Sequence, residues 1–183
     1  MSKNNTSIRN TKVLACCALF IAISIICGKY LKVSVGEIMR FSLENLTVIL
    51  SGILFGPVSG ALVAVLADIL GCILVGFSIN PIVTLGAASI GIISGVVSKL
   101  CNKLPLAFKL SLTVFVSHII GSVILKTIGL ADWYAVELGI SFNVLLLWRL
   151  VNYIIVGFTE YVILLILLSR KGFTKQINTI IQK

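Results

Sequence analysis

Between Glu37 and Pro81 the chain reads EIMRFSLENLTVILSGILFGPVSGALVAVLADILGCILVGFSINP, two apolar runs joined at Phe55-Gly56-Pro57. Runs of this kind read as a membrane hairpin of two helices, because only internally hydrogen-bonded backbone is tolerated in lipid. The far ends of the hairpin carry Arg40, Glu44, Phe77 and Asn80, and one carboxylate, Asp68, falls inside the second helix. An ionisable group at the centre of a membrane helix costs at least ~2.5 kcal/mol, so Asp68 marks a paired or ligand-facing position.

The rest of the chain is of the same character. Of its 183 residues 58% are hydrophobic and 11% charged, against about 25% charged in soluble domains, and the mean hydropathy is +1.14. At roughly 20 residues per crossing, this length holds about six helices and no soluble domain. The expectation is an all-α integral membrane protein: one domain over residues 1–183 with six transmembrane helices. Their approximate bounds are 13–27, 41–55, 57–75, 81–98, 110–125 and 140–168. The net charge of +9 comes from Lys and Arg in short loops and tails, where they set orientation, which argues against a nucleic-acid partner. Cys16, Cys17, Cys27, Cys72 and Cys101 form no CxxC pair and mostly fall in apolar runs, as small packing residues do. The polar N-terminus is followed by no small-residue cleavage site, so no removable signal is expected.

In the first helix Ala15, Ala18 and Ala22 share a face, a spacing that admits a second helix closely, inside the protein or from a partner. The segment from Gly28 to Arg40 alternates Val33, Val35 and Ile38 with polar neighbours, as a short extended stretch over one membrane face would. Pro57 and Pro81 each suit the first turn of a helix, where the missing amide is harmless. Thr84, Ala87, Gly91 and Gly95 make a packing seam. His118 has no acid at helical spacing and reads as a hydrogen-bonded packing residue. The stretch from Lys126 to Leu138 reads as a loop whose Trp133 and Tyr134 suit a membrane interface, and the tail after Leu168 as basic and interfacial.

Six helices put both termini on one side. Lys3, Arg9, Lys12, Lys99, Lys103, Lys109, Arg170, Lys171, Lys175 and Lys183 then share that side, against Lys29, Lys32, Arg40 and Lys126 on the other. Both termini are therefore expected to be cytoplasmic. The four outer cations face few loop acids and would attract an anionic solute.

Asp68 lies eight residues before Gly76 and Arg149 eight after Ser141, about 12 Å below the outer surface in each case. The two can meet, either as a buried ion pair that fixes helix register or as the polar floor of an outward-facing pocket. Phe142, Arg149 and Asn152 share a stripe on the last helix, and Cys72 shares the face of Asp68. Phe41, Phe77, Trp133 and Tyr134 near the rim suit stacking on a flat ring, and Arg40, Lys29, Lys32 and Lys126 a negative tail. Asp68 would accept from ring amino and amide groups, with Asn80, Asn152 and Arg149 on the remaining edge atoms. A flat heteroaromatic acid fits this set. Enzyme chemistry finds no support: the chain has no GxxxxGK[ST] loop, no HExxH, no nucleophile elbow and no His or Cys cluster at metal-ligand spacing.

The segments RFSLENLTVILSGILFGPVSGALVAVLADILGCIL and INPIVTLGAASIGIISG closely resemble the substrate-binding S components of energy-coupling factor (ECF) transporters, most of all the folate-specific FolT type. The resemblance implies a multi-pass protein of a bacterial cell membrane that captures a vitamin outside, joins a transmembrane coupling subunit and two ATPases, and topples to deliver its cargo. It implies no resident cofactor, ATP being used by the partner subunits. It carries contact with the coupling subunit onto Ala18 and Ala22, although Cys16 and Cys17 interrupt the fuller alanine run. It also makes Gly28 to Arg40, Phe77 to Asn80 and Lys126 to Leu138 an outer gate. Folate, a pterin with an anionic glutamate tail, matches the ligand class above. Thiamine is a cation, riboflavin lacks the anionic tail, and biotin and pantothenate lack the flat aromatic system. A small membrane enzyme using Asp68, Arg149 and His118 is the alternative from another class.

Overall fold

The computed structural model describes residues 11–35 and 39–181. Seven helices follow one another: α1 (Thr11–Tyr30), α2 (Glu44–Phe55), α3 (Pro57–Val75), α4 (Pro81–Leu100), α5 (Leu106–Leu138), α6 (Phe142–Ser169) and α7 (Lys171–Ile181). Between α1 and α2 lies an antiparallel hairpin, β1 (Val33–Val35) with β2 (Met39–Phe41), in which Ser34 faces Arg40 and Val33 faces Phe41. Helices α1, α3, α4, α5 and α6 are each long and apolar enough to cross a membrane. Helix α2 is apolar but has 12 residues, about 18 Å at 1.5 Å per residue and short of a ~30 Å hydrocarbon core.

The expected elements shift in ways that have local causes. Helix α1 runs past Cys27 through a π turn to Tyr30, since nothing in ICGKY breaks a helix outright. The extended reading of Gly28 to Arg40 holds over β1 and Arg40, while Glu37 and its neighbours lie outside the described residues. Helix α2 begins at Glu44 rather than Phe41, because Arg40 and Phe41 are held in β2. The stretch from Lys126 to Leu138 is helix, not loop. Helix α5 starts at Leu106, after Pro105, and continues unbroken to Gly139, whose φ of 63° ends it in the left-handed conformation. Gly129 alone was too weak a breaker. The last spanning helix starts at Phe142, and the tail forms α7, tied to the body by buried Ile177.

Helices α2, α3 and α4 pack at the centre of the protein, with α1 on one flank and α5 and α6 on the other. Glycines allow that closeness. A Cβ at Gly91 would overlap the Gly60 carbonyl, and one at Gly95 would overlap Pro57. Gly56, at φ 95°, makes the α2–α3 corner before Pro57 takes the first turn of α3. The core is built on Val48, Ile49, Val63, Ile90, Leu110, Val114 and Leu164. Residues 118–125 of α5 are wound as a π-helix, which shifts the phase of everything after it and brings Lys126 round to face α4.

Candidate ligand-binding site

A small cavity of about 20 Å³ opens where α1, α2, α3, α4 and α5 meet, lined by Ser24, Lys29, Glu44, Asn45, Asp68, Lys126 and apolar neighbours. Each charged side chain is placed by a local feature. Glu44 is the first residue of α2, where a carboxylate complements the helix dipole. Lys126 reaches in along Gly86, Lys29 along Gly71, and Glu44 along Gly28; a Cβ on any of these glycines would collide with the charged chain beside it. The glycines thus make room for polar side chains as well as for helix contacts.

Inside the cavity Lys126 Nζ bonds Glu44 Oε1 at 3.1 Å, and both groups are largely withdrawn from the surface. Thr84 Oγ1 donates to Asp68 Oδ2 at 2.7 Å. Lys29 Nζ donates to the Cys72 thiol at 3.7 Å. Lys29 and Lys32 both stand over the Phe77 ring, at 5.9 and 5.5 Å from its centroid. Burial lowers the Lys32 pKa below the ordinary lysine value, and the charges of Arg40 and Lys29 lower it further. Like charges crowded at a rim are costly unless something negative comes between them.

Asp68 and Cys72 share α3, as expected, and Lys29 links Cys72 to Phe77, which follows the end of that helix. Asn80 caps α4, accepting from the Ile82 and Val83 amides at 3.0 and 3.3 Å, and donates to the Gly129 carbonyl at 2.6 Å. Arg40 is exposed on β2 and Phe41 half-buried beside it. Asn152, buried on α6, donates to the Arg40 carbonyl at 2.9 Å and so ties the hairpin to the last spanning helix. Trp133 and Tyr134 meet edge to face at 4.9 Å, Trp133 exposed and Tyr134 buried. Phe142 is exposed at the start of α6.

The ion pair expected between Asp68 and Arg149 does not form. Arg149 donates to the Ser122 carbonyl at 3.1 Å and lies over the Tyr153 ring; it is not among the residues that line the cavity. The equal depth counted from residue spacing did not bring the two together: Asp68 is bonded to Thr84 and Arg149 to the Ser122 carbonyl.

His118 is buried and hydrogen-bonded, as expected of a packing residue, but it also has an acidic partner that was not foreseen: Glu160 of α6, with Nε2 to Oε2 at 2.6 Å and both residues fully buried. Its other ring nitrogen meets Ser122 Oγ at 3.1 Å, and Tyr153 stacks on the ring. Helical spacing within one segment missed an acid supplied by another. The signal was present, since Glu160 is the one carboxylate in the final apolar run and such a group needs a buried partner. Glu44 as a cavity residue was likewise missed, and Lys126, read as a rim cation, is a buried one.

On α1, Ala18 and Ala22 are exposed with Ala15 on the outer face of the bundle. The small-residue face is thus not buried inside the protein. All five cysteines are free.

The model of the ECF transporter substrate-specific component family matches residues 12–169. A comparison with curated proteins finds no match. The match takes in the five helices long enough to cross a membrane, but for the first residue of α1, and the cavity between them, and the chain belongs to the substrate-specific (S) components of ECF transporters.

Proposed function

We propose that this S component captures folate on the outer side of a bacterial cell membrane, with both termini cytoplasmic and six crossings, the short α2 spanning together with the strand β2 that leads into it. It then delivers folate inward by toppling, once joined to the family's coupling subunit and two ATPases. Membership makes it a transporter component that works with membrane and ATPase partners; the vitamin and the motion are our reading. The observation that carries the reading is the cavity in which Lys29, Lys126, Glu44 and Asp68 converge beneath a rim of Lys32, Arg40 and Phe77.

The chemistry suits a pterin with a carboxylate tail. Asp68 accepts from ring amino and amide N–H groups, and Lys126 donates to a ring carbonyl. Phe77 and Trp133 offer aromatic faces, and Lys32 and Arg40, crowded together at the rim, meet the tail carboxylates. A cavity of about 20 Å³ has the size of one water, so capture requires the surrounding side chains to part. A cationic vitamin would leave the rim repulsion unrelieved, which disfavours thiamine.

The experiment is to purify the protein from folate-supplied cells and identify the co-purifying small molecule by absorbance and mass. A pterin spectrum is the expected result. Another vitamin reassigns the substrate, and a chemically altered product favours the enzyme alternative.

A further inference from the structure

Glu44 shares one cavity with two ammonium groups carried on different helices. Lys126, on α5, holds its Oε1 at 3.1 Å. Lys29, at the end of α1, lines the same cavity, and among the described residues its ammonium meets the Cys72 thiol and the Phe77 ring but no carboxylate within 4.0 Å. A thiol is a weak acceptor. One lysine therefore bonds a carboxylate directly, and the other bonds none among the described residues.

That asymmetry bears on how an uncharged or anionic acceptor could enter. A ligand oxygen that replaces Glu44 on the Lys126 ammonium leaves a largely buried carboxylate without its partner, which is destabilising. Lys29 removes that cost, because it offers a second ammonium beside the same carboxylate. The Glu44 side chain already lies against Gly28, the residue before Lys29, in a place that a Cβ there would occupy.

We propose that Glu44 is a shared counter-ion with two stations, bonded to Lys126 in the arrangement described and passing to Lys29 when a ligand carbonyl or carboxylate oxygen takes Lys126. Lys29 is then a positioning residue for binding, even where it never touches the ligand's polar edge. The ligand-linked half of this proposal rests on the capture reading; the two-station half does not. Ligands lacking an oxygen acceptor at that edge are discriminated against, because they would have to leave the Glu44–Lys126 pair intact and find no room.

The test is a stability cycle on the full chain in detergent without added folate, using Lys29→Met, Lys126→Met and the double variant. Lys29→Met is expected to unfold near the wild-type temperature, since its ammonium carries no ion pair. Lys126→Met loses modestly, because Glu44 moves to Lys29. The double variant loses far more than the sum, since the carboxylate then has neither lysine. Additive losses overturn the proposal. So does a Lys126→Met chain that fails to fold while Glu44→Gln/Lys126→Met folds, because Lys29 then did not take the carboxylate.

With folate, Lys29→Met is expected to raise the Kd at least about ten-fold, the scale of one charged hydrogen bond. Glu44→Gln/Lys29→Met should return it to within about three-fold of wild type, the signature of two coupled sites. A double variant as weak as Lys29→Met overturns the two-station mechanism. A wild type that binds no folate overturns the capture reading alone, and the stability cycle still judges the exchange.

Discussion

Asp68 and Glu160 are two acids in apolar helices with different environments. Asp68 is partly exposed to a cavity and bonded to one hydroxyl, which leaves acceptor capacity for a ligand. Asp68→Asn is expected to weaken folate binding by an order of magnitude or more, the loss of a charged hydrogen bond, as read by titration of the purified protein. Glu160 is fully buried against His118, and its role is structural coupling of α5 to α6. His118→Leu leaves that carboxylate without its partner and should cost about 3–5 kcal/mol, whereas His118→Leu/Glu160→Met should recover most of the loss. Thermal unfolding of the two variants in detergent checks this. At the rim, anion binding favours charged Lys32, whose pKa is lowered by burial and by Arg40 and Lys29. Folate affinity should therefore be highest below that pKa and fall as pH rises through it, somewhat short of the ordinary lysine value of about 10.4. Lys32→Gln should remove this part of the pH profile. The sequence made Asp68, Phe77 and the rim cations legible, because charge and aromatics in an apolar chain stand out. It did not reveal Glu44 with Lys126 or His118 with Glu160, because both pairs join residues on different helices.

Among the elements, α3 and α4 depend on glycine contact. Gly91 and Gly60 approach so closely that a side chain at either would push the helices apart. Gly91→Val is expected to destabilise by about 1–3 kcal/mol or more, while Gly172→Ala on α7, where nothing lies within 4 Å of an added methyl, should be neutral or slightly stabilising. Paired melting curves decide between them. The small-residue seam was readable as a seam, yet its partner was not: Gly95 meets Pro57 and Gly91 meets Gly60 only because the Gly56 corner folds α3 back across α4. The helix from Leu106 to Leu138 shows the opposite failure. Its polar last turns read as a loop, but with no proline or strong breaker before Gly139 the hydrogen-bond ladder simply continues, and packing against α4 outweighs modest polarity.

For the molecule as a whole, the exposed Ala18 and Ala22 on α1 leave a shallow face toward the surrounding membrane, suited to a partner helix. Ala18→Trp should abolish co-purification with the coupling subunit while leaving folate affinity within about two-fold, since the added ring lies outside the cavity and changes the fit of the two helices. Loss of both properties would place the face within the folded core instead. The amino-acid sequence by itself determined the class of the protein, because lipid admits few backbone arrangements and long apolar runs leave little choice but helices. It also determined the acid to explain, the cations at the rim and the resemblance to S components. Only the tertiary structure decided which charges neutralise one another. Depth along a helix follows from residue number, but the face a side chain presents depends on π turns, corners and glycine contacts. For that reason Asp68 and Arg149 bond other groups and not each other, and Lys126 and Glu44, 82 residues apart, pair in the candidate cavity.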